Sequence, residues 1–339
     1  MKHSEQCRAL RLAGRRALAA LLVALVLGAA GCASRGPVLP DAVQQSGAEP
    51  QLELDDTPFF PQTEYYCGPA ALATVLNTSG IDVGLDELGS LVYLPEKRGS
   101  LQVEMTAAVR HFRRMPYRID PNLPALLAEL RAGRPVLVFQ NLGVKIIPVW
   151  HYAVVVGYDA GADTIVLRSG ETRRRVMSAG SFMATWERAD QWAIVALRPG
   201  ELPAKPDLHR YLSAVAAIED RISADVAAPW LQAARRHWPD KALVHFALGN
   251  NRYAAGDSDA ATASYRRALD LDPELLAARN NLAHLLAEQG CLESALEEIE
   301  RALAGAGTPD DSIRQTLEQT RAEIRERIED GAGSAGTCP

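Results

Sequence analysis

The sequence predicts two structural units: an α+β domain with an antiparallel sheet, followed by an all-α solenoid of repeated helix pairs. Two observations predict them. Between residues 52 and 200, amphipathic helical patterns come first and short apolar runs rich in valine and isoleucine follow, an order typical of α+β folds. Between residues 207 and 330, small and large apolar residues recur with a period of 34.

Composition supports this division and excludes several classes of protein. The chain has 339 residues, of which 47% are hydrophobic and 23% charged, enough for two packed domains and too apolar for a disordered chain. A net charge of −6 argues against a nucleic-acid partner. Its five cysteines are scattered singly, and no phosphate-binding glycine loop is present. We therefore expect neither a metal nor a cofactor.

The N-terminal 31 residues have the pattern of a secretory signal peptide. A basic head from Lys2 to Arg16 precedes a stretch without charges from Ala17 to Ser34. Its end, Leu-Gly-Ala-Ala-Gly-Cys over residues 27–32, resembles the bacterial lipobox, which implies that the Cys32 thiol receives a diacylglyceryl group. An uncleaved signal anchor is the alternative, but a membrane span needs about 20 apolar residues and this core is shorter.

Resemblance to Gram-negative lipoproteins also predicts where the protein is located. Ala33 follows the lipidation site, and the absence of aspartate there favours the outer membrane, with the protein facing the periplasm. Removing residues 1–31 changes the net charge from −6 to −10. Because an acidic body adheres poorly to anionic lipid, acyl chains on Cys32 must hold it at the membrane. Residues 32–51, rich in proline, glycine, serine and glutamine, are predicted to be a tether.

Three segments, which begin near Asp207, Ala242 and Leu276, align in the C-terminal region. Their small and large residues fall where tetratricopeptide repeats have them, although Pro229 is predicted to interrupt the second helix of the first copy. An apolar stripe after Pro309 predicts a capping helix that ends near residue 330. A plain helical bundle is the alternative. Such an array binds a protein partner in its groove or acts as a spacer, without chemistry of its own.

Residues 331–339 are predicted to form a disordered tail. Cys291 and Cys338 are able to pair in an oxidising periplasm, although a mobile tail argues against that disulfide.

The domain between residues 52 and 200 contains three predicted helices and four predicted strands. The helices are Cys67–Asn77, Leu101–Met115 and Leu123–Ala132. A turn from Asp159 to Asp163 joins the second and third strands in a hairpin. The strands are Val136–Phe139, Tyr152–Tyr158, Thr164–Leu167 and Trp192–Leu197.

Cys67 is the candidate nucleophile of this domain. It lies at the first turn of a predicted helix, where the helix dipole and unpaired N–H groups favour a thiolate. Cysteines at such positions have pKa values lowered from about 8.5 to between about 3.5 and 7.5. Gln62, five residues upstream, can point its amide at a developing oxyanion together with the Cys67 N–H. Cys67 as a small buried hydrophobe and Gln62 as a simple helix cap are the alternatives.

His151 is the candidate proton shuttle. It comes immediately before a predicted strand, between Trp150 and Tyr152, and a cysteine on a helix paired with a histidine on a distant strand is typical of papain-like enzymes. A hydrogen-bonded histidine at a sheet edge is the alternative. The three arginines at 173–175 are predicted to be a solvated loop rather than a clamp for acidic substrates.

Two motifs resemble those of the bacteriocin-processing, double-glycine peptidases. They are Gln-x4-Cys-Gly-Pro-Ala-Ala-Leu from Gln62 and His-Tyr-Ala-Val-Val-Val-Gly-Tyr-Asp from His151, and the resemblance covers about residues 55–198. It implies a papain-like fold, with phytochelatin synthase as a more distant relative. It further implies Cys67 as nucleophile, His151 as general base and acid, and Gln62 as oxyanion donor.

The sequence departs from that family at two positions. The family glutamine often precedes the cysteine by six residues, whereas Gln62 precedes Cys67 by five. Relatives also have an aspartate or asparagine sixteen to eighteen residues after the histidine, where this chain has Ser169 near Glu171. Ser169 can accept a hydrogen bond from the imidazole but stabilises imidazolium less than a carboxylate does. Ser169 is the candidate third member.

These observations predict a lipid-anchored, periplasmic cysteine peptidase that acts on a peptide or protein, with repeats that bind substrate or partner. An acyl or peptidyl transferase shares the first half-reaction. A scaffold for assembly or secretion that has lost catalysis is the alternative from another class, because no aspartate or asparagine lies sixteen to eighteen residues after His151.

Overall fold

The computed structural model describes residues 38–62, 65–305, 311–331 and 338. The predicted signal peptide, the lipidation site Cys32 and residues 32–37 of the predicted tether lie outside these ranges. Helices are α1 Leu39–Ser46, α2 Cys67–Thr78, α3 Leu85–Val92, α4 Gln102–His111, α5 Leu123–Arg131, α6 Ala179–Glu187, α7 Leu208–Arg221, α8 Ala224–His237, α9 Ala242–Ala254, α10 Ser258–Leu271, α11 Leu276–Glu288, α12 Leu292–Gly305 and α13 Asp311–Glu329. Strands are β1 Gln51–Glu53, β2 Met115–Arg118, β3 Val136–Asn141, β4 Trp150–Asp159, β5 Thr164–Ser169, β6 Thr172–Ser178 and β7 Ala193–Leu197.

The sheet is antiparallel, as the sequence predicts. Its strand order is β2-β7-β3-β4-β5-β6, and β1 pairs with the end of β4. The central strands β3, β4 and β7 are almost wholly buried, which explains why their sequences are continuous apolar runs. The predicted fold class, an α+β domain followed by a helical repeat, is therefore confirmed.

Alternating side chains of the sheet supply two hydrophobic cores. On one face, Leu137, Val154 and Ile194 pack against α2, α3 and α4. On the other face, their neighbours along the strands pack against α5, α6 and the first two repeat helices. The sheet thus separates the helix that begins with Cys67 from the helices that lead into the repeats.

Helix pairs fill the C-terminal region. The first helix of each pair begins at Leu208, Ala242 and Leu276, as the period of 34 predicts, and α13 packs against the last pair. Tyr211 and Trp230 of the first pair are fully buried in the same core as the α+β domain. Because they share a core, the first repeat packs directly against the sheet domain and is not connected to it only through a flexible linker.

The predicted tether over residues 32–51 is wrong in its described part. Residues 39–46 form α1, in which Leu39 and Ala42 are buried. The Asp163 carboxylate accepts hydrogen bonds from the N–H groups of Val38 and Leu39 at 3.0 and 2.9 Å. This helix has only eight residues, and its apolar pattern is too short to distinguish it from a proline-rich linker in the sequence.

Three further expectations need correction. The arginines at 173–175 lie on an exposed strand, β6, rather than in a loop. The helix predicted over Leu101–Met115 ends at His111, and Met115 instead begins β2. Pro229 does not interrupt α8, which runs through it. The helix loses one hydrogen bond there, and burial of its neighbours Trp230 and Leu231 offsets that loss.

Cys291 and Cys338 form a disulfide, so the end of the predicted disordered tail is tied to the last repeat. Within the three described segments and Cys338, no helix is long and apolar enough to cross a membrane.

Candidate active site

One cleft contains the sequence-predicted nucleophile, base and oxyanion donor. Its volume is about 860 Å³, and Cys67, His151 and Gln62 all line it. Cys67 is the first residue of α2, and His151 is the second residue of β4. The end of the sheet and the start of the helix therefore bring together two residues that are far apart in sequence.

Glycine at position 68 allows the close approach that shapes this cleft. A Cβ atom on Gly68 would lie 2.3 Å from the Ser100 hydroxyl oxygen and 2.7 Å from the Ser100 Cβ. Both distances are shorter than any tolerated contact, so only glycine permits residue 100 to pack beside the Cys67 turn. Tyr65, two residues before Cys67, has a positive φ of 71°, which turns the chain sharply into the helix.

The main-chain amides of Tyr152, Gly68 and Cys67 itself favour negative charge on the Cys67 sulfur, and each lowers the pKa of the thiol. Burial is nevertheless the larger effect, and it raises that pKa above its ordinary value. The expectation of a lowered thiol pKa is therefore wrong, because desolvation of the sulfur outweighs the effect of these main-chain amides. In the resting protein Cys67 is a neutral thiol.

His151 is neutral in the resting protein as well. Burial, with a smaller contribution from the positive charge of Arg175, lowers its pKa from 6.5 to about 4. The resting pair is thus thiol and imidazole, not thiolate and imidazolium. A proton must leave Cys67 as the sulfur attacks, which is a role for a general base rather than for a preformed ion pair.

Ser169 is the partner of the imidazole. Its hydroxyl oxygen lies 2.8 Å from His151 Nε2, and the side chain is buried at the end of β5. Among the described residues that line the cleft, none is aspartate or glutamate. The structure therefore brings Ser169 to the position where the resemblance implies an acid or amide.

Gln62 lines the cleft on the side of Cys67. Its backbone N–H donates to the carbonyl oxygen of Gly170 at 3.4 Å, which ties the segment before the helix to the β5–β6 turn. Because residues 63 and 64 lie outside the described ranges, the path between Gln62 and the helix is not described. The oxyanion role of Gln62 stays a prediction.

Two walls of the cleft were not predicted from the sequence. One is the segment from Lys97 to Gln102, and the other is formed by Phe139 and residues 148–150. The turn residues Gly99 and Ser100 before a helix were a signal for the first wall. For the second, the signal was the connection between β3 and β4, which is rich in apolar residues and too long for a simple hairpin turn.

The described residues contain no group of three or more histidine, cysteine, aspartate or glutamate side chains able to hold a metal ion. The cleft instead presents one thiol, one imidazole and main-chain N–H donors around the same sulfur.

Two family models match the chain. Residues 54–194 match the Peptidase_C39-like family, and residues 249–290 match a TPR repeat. None of the curated proteins is similar enough to count as a match.

Solved structures similar to this chain include proteins of both kinds. A C39-like peptidase from Bacillus anthracis is 16% identical, with a TM-score of 0.38, and the match covers 44% of this chain and 98% of that one. The peptidase domain of Streptococcus ComA is 20% identical, with a TM-score of 0.34, covering 42% and 98%. The Yersinia enterocolitica type III secretion chaperone SycD is also 20% identical, with a TM-score of 0.34, covering 36% and 86%. The chain thus combines a domain that matches the Peptidase_C39-like family with a TPR repeat.

Proposed function

We propose that this protein is a lipid-anchored, periplasmic cysteine peptidase that cleaves a peptide bond with Cys67 and His151. The observation that carries the proposal is that a free cysteine and a histidine, 84 positions apart in sequence, line the same open cleft. The main-chain amides of Tyr152, Gly68 and Cys67 lower the pKa of the thiol, so they would stabilise negative charge as it develops.

The first step is proton transfer from Cys67 to His151, and the hydrogen bond to Ser169 determines which imidazole nitrogen accepts the proton. Nε2 of His151 contacts the Ser169 hydroxyl, which leaves Nδ1 to accept the Cys67 proton. As the sulfur bonds to the substrate carbonyl carbon, the carbonyl electron pair moves to oxygen, where the Cys67 N–H and the Gln62 amide donate to it. Because both groups start neutral, charge separates only as the tetrahedral intermediate forms, with the negative charge on its oxygen and the positive charge on the imidazolium.

The second step uses the same proton. The imidazolium donates it to the leaving amine nitrogen as the carbon–nitrogen bond breaks, and a thioester remains on Cys67. Water then attacks the thioester while Nδ1 accepts its proton, and the carbon–sulfur bond breaks. The carboxylic acid product leaves, and the thiol and the neutral imidazole are restored. An amine in place of water would give the transferase reaction.

The proposal assigns the membrane and the partner to other parts of the chain. Acyl chains on Cys32 would hold the protein at the outer membrane, and the groove of the repeats would bind substrate or a partner protein. TPR repeats generally bind proteins, which supports the second assignment.

One observation favours a second candidate, a scaffold without catalysis. His151 contacts a serine hydroxyl rather than a carboxylate, and a serine stabilises imidazolium less. A protein that had lost selection for turnover would tolerate that arrangement.

Proteolysis of a complex substrate mixture tests the proposal. The purified full-length protein is incubated with periplasmic proteins or denatured casein, and new N-termini are identified by mass spectrometry. Cleavage is expected for the parent and absent for Cys67→Ala and His151→Ala. Cys291→Ala/Cys338→Ala, which removes the disulfide and leaves Cys67 in place, is the control and should still cleave. Equal products from the parent and Cys67→Ala would refute the peptidase and favour the scaffold.

Metabolic labelling with palmitate tests the lipid anchor. The label should be incorporated into the parent and not into Cys32→Ala.

A further inference from the structure

An exposed apolar hairpin extends from the end of the sheet beside the cleft. Residues 142–149, here called the apolar hairpin, join β3 to β4. Its side chains are exposed although they are large and hydrophobic, with Ile146 at 88% and Ile147 at 68%. Of the exposed large hydrophobic residues in the described ranges, six lie in this short segment and its flank: Leu142, Val144, Ile146, Ile147, Val149 and Trp150. Concentrated exposure of this kind is typical of an interaction site.

Hydrogen bonds hold the apolar hairpin in one conformation. Leu142 N–H donates to the Val149 carbonyl oxygen at 2.8 Å, and Val144 and Ile147 exchange two bonds. The Asn141 side-chain oxygen accepts from the N–H groups of Gly143 and Val149, each at 3.0 Å. The backbone therefore presents the isoleucines to solvent, and they do not fold back onto the protein.

The apolar surface continues from the hairpin into the cleft. Val149 and Trp150 line the cleft directly before His151, and the Trp150 ring stacks on Phe139 at a centroid distance of 5.1 Å. Leu101, 44% exposed, also lines the cleft. A ligand that contacts Val149 and Trp150 in the cleft can thus extend onto the apolar hairpin.

Charge near this surface is positive, although the whole chain is acidic. Lys97 and Arg98 line the cleft, and Lys145 is at the hairpin tip. Residues 142–150 contain no aspartate or glutamate, whereas the chain as a whole carries a net charge of −6. A bound segment with acidic side chains beside its apolar ones would complement both properties.

The position of Val38 and Leu39 favours a polypeptide, rather than a lipid bilayer, as the ligand of the apolar hairpin. Val38 and Leu39 contact Asp163, in the turn after β4, whereas the hairpin precedes β4. The ten residues of β4 separate these ends by roughly 30 Å. Residues 32–38 span at most roughly 21 Å, so an anchor on Cys32 would hold the bilayer nearer the Asp163 end.

We propose that the apolar hairpin is an exosite for the polypeptide substrate, binding a hydrophobic segment flanked by acidic residues next to the bond that is cleaved. The proposal rests on the peptidase function above and names the class of segment that this site would select. Val149 and Trp150 would contact the part nearest the scissile bond, and the isoleucines the part farther away.

Binding to full-length Cys67→Ala tests the exosite without turnover. The probe is a fluorescein-labelled peptide that contains a run of leucines flanked by glutamates, and fluorescence anisotropy reports its affinity. Ile146→Ser/Ile147→Ser in the same background should weaken binding about tenfold or more. Ile222→Ser/Ile313→Ser, which removes two exposed isoleucines from the repeat region, should not change it. Peptides with serine for leucine or lysine for glutamate should bind more weakly to Cys67→Ala.

The outcomes separate the exosite from the peptidase function. Unchanged affinity in Ile146→Ser/Ile147→Ser overturns the exosite, even if the active protein cleaves peptides. Hairpin-dependent binding without any cleavage by the active protein supports the exosite and overturns the peptidase instead. Co-sedimentation with phosphatidylglycerol vesicles that depends on Ile146 and Ile147, without peptide binding, overturns the proposal in favour of a membrane contact.

Discussion

The Nε2 atom of His151 lies 2.8 Å from the hydroxyl oxygen of Ser169. This contact determines which nitrogen of the imidazole can serve Cys67. When the Nε2 proton is donated to the serine oxygen, Nδ1 carries the free electron pair that a general base needs. A serine hydroxyl orients the ring in this way without adding negative charge. Burial and, to a smaller extent, the positive charge of Arg175 lower the pKa of His151 to about 4, and the serine adds no charge that opposes them, so the resting pair is neutral.

Replacing Ser169 separates orientation of the imidazole from its charge. Ser169→Ala removes the partner of Nε2, so kcat/KM for peptide cleavage should fall about tenfold or more. Ser169→Asp places a carboxylate there, which should raise the pKa of His151 and stabilise imidazolium. Alkylation of Cys67 by iodoacetamide at pH 6 should then increase in Ser169→Asp relative to the parent. Parent-like kcat/KM in Ser169→Ala would show that the serine does not position the ring.

The neutral resting pair predicts an unusual pH profile for Cys67 alkylation. Because burial raises the pKa of the thiol, the rate of reaction with iodoacetamide should keep rising above pH 9. His151→Ala should change that midpoint little, since no ion pair exists to be lost. Mass spectrometry of the Cys67 peptide measures the rate at each pH. A plateau of fast reaction below pH 7 that disappears in His151→Ala would demonstrate an ion pair instead.

The sequence predicted those features of the fold that depend on local periodicity. The strand containing Val154 and the helix starting at Cys67 are long and strongly patterned, and both were found within two residues of their bounds. The first helix and β6 were missed. Tertiary contacts decide both, since Asp163 caps the first helix and pairing with β5 holds the arginines extended.

For the candidate site, the sequence indicated the residues but not their protonation. Local pattern identified Cys67 and His151, the family resemblance indicated Ser169, and the structure brings His151 and Ser169 into contact. Helix position alone predicted a low pKa for the thiol, but the pKa depends on how much protein surrounds the sulfur. That burial comes from elements far away in sequence, and no local pattern encodes it. The apolar hairpin was missed for the same reason, because exposure is a property of the folded chain.

Close packing at Gly68 predicts a compensating pair of substitutions. Gly68→Ala places a Cβ atom 2.3 Å from the Ser100 oxygen, so unfolding free energy should fall by about 1–3 kcal/mol and cleavage should weaken. Adding Ser100→Gly removes both clashing atoms and should restore most of the loss. Urea denaturation of the two single variants and the double variant measures the coupling. Simple additivity of the two losses would contradict this account of the turn.

The shared core predicts that the sheet domain and the first repeat unfold together. Trp230 is fully buried, and the Tyr211 hydroxyl beside it donates to the Trp230 carbonyl oxygen at 3.3 Å. Trp230→Ala should therefore reduce the unfolding free energy by about 3–5 kcal/mol. Trp150→Ala, at a half-exposed tryptophan, is the control and should cost much less. Urea unfolding of the parent, measured by circular dichroism at two wavelengths, should show one coincident transition. A separate transition at lower urea for the repeats would indicate that the two units unfold independently.

Finally, His151 should make the protein sensitive to mild acid. Its pKa is about 4 in the folded state and 6.5 as the ordinary value for the unfolded chain. Between these values the unfolded state binds a proton that the folded state does not, so stability decreases as the pH falls from 6.5 towards 4. The loss attributable to this group should be about 1–3 kcal/mol, since the side chain is only partly buried. Urea midpoints at pH 7 and 4.5 should therefore differ less in His151→Asn than in the parent. His209→Asn removes an exposed histidine without touching the cleft, and if it reduced the difference equally, the acid sensitivity would not originate at His151.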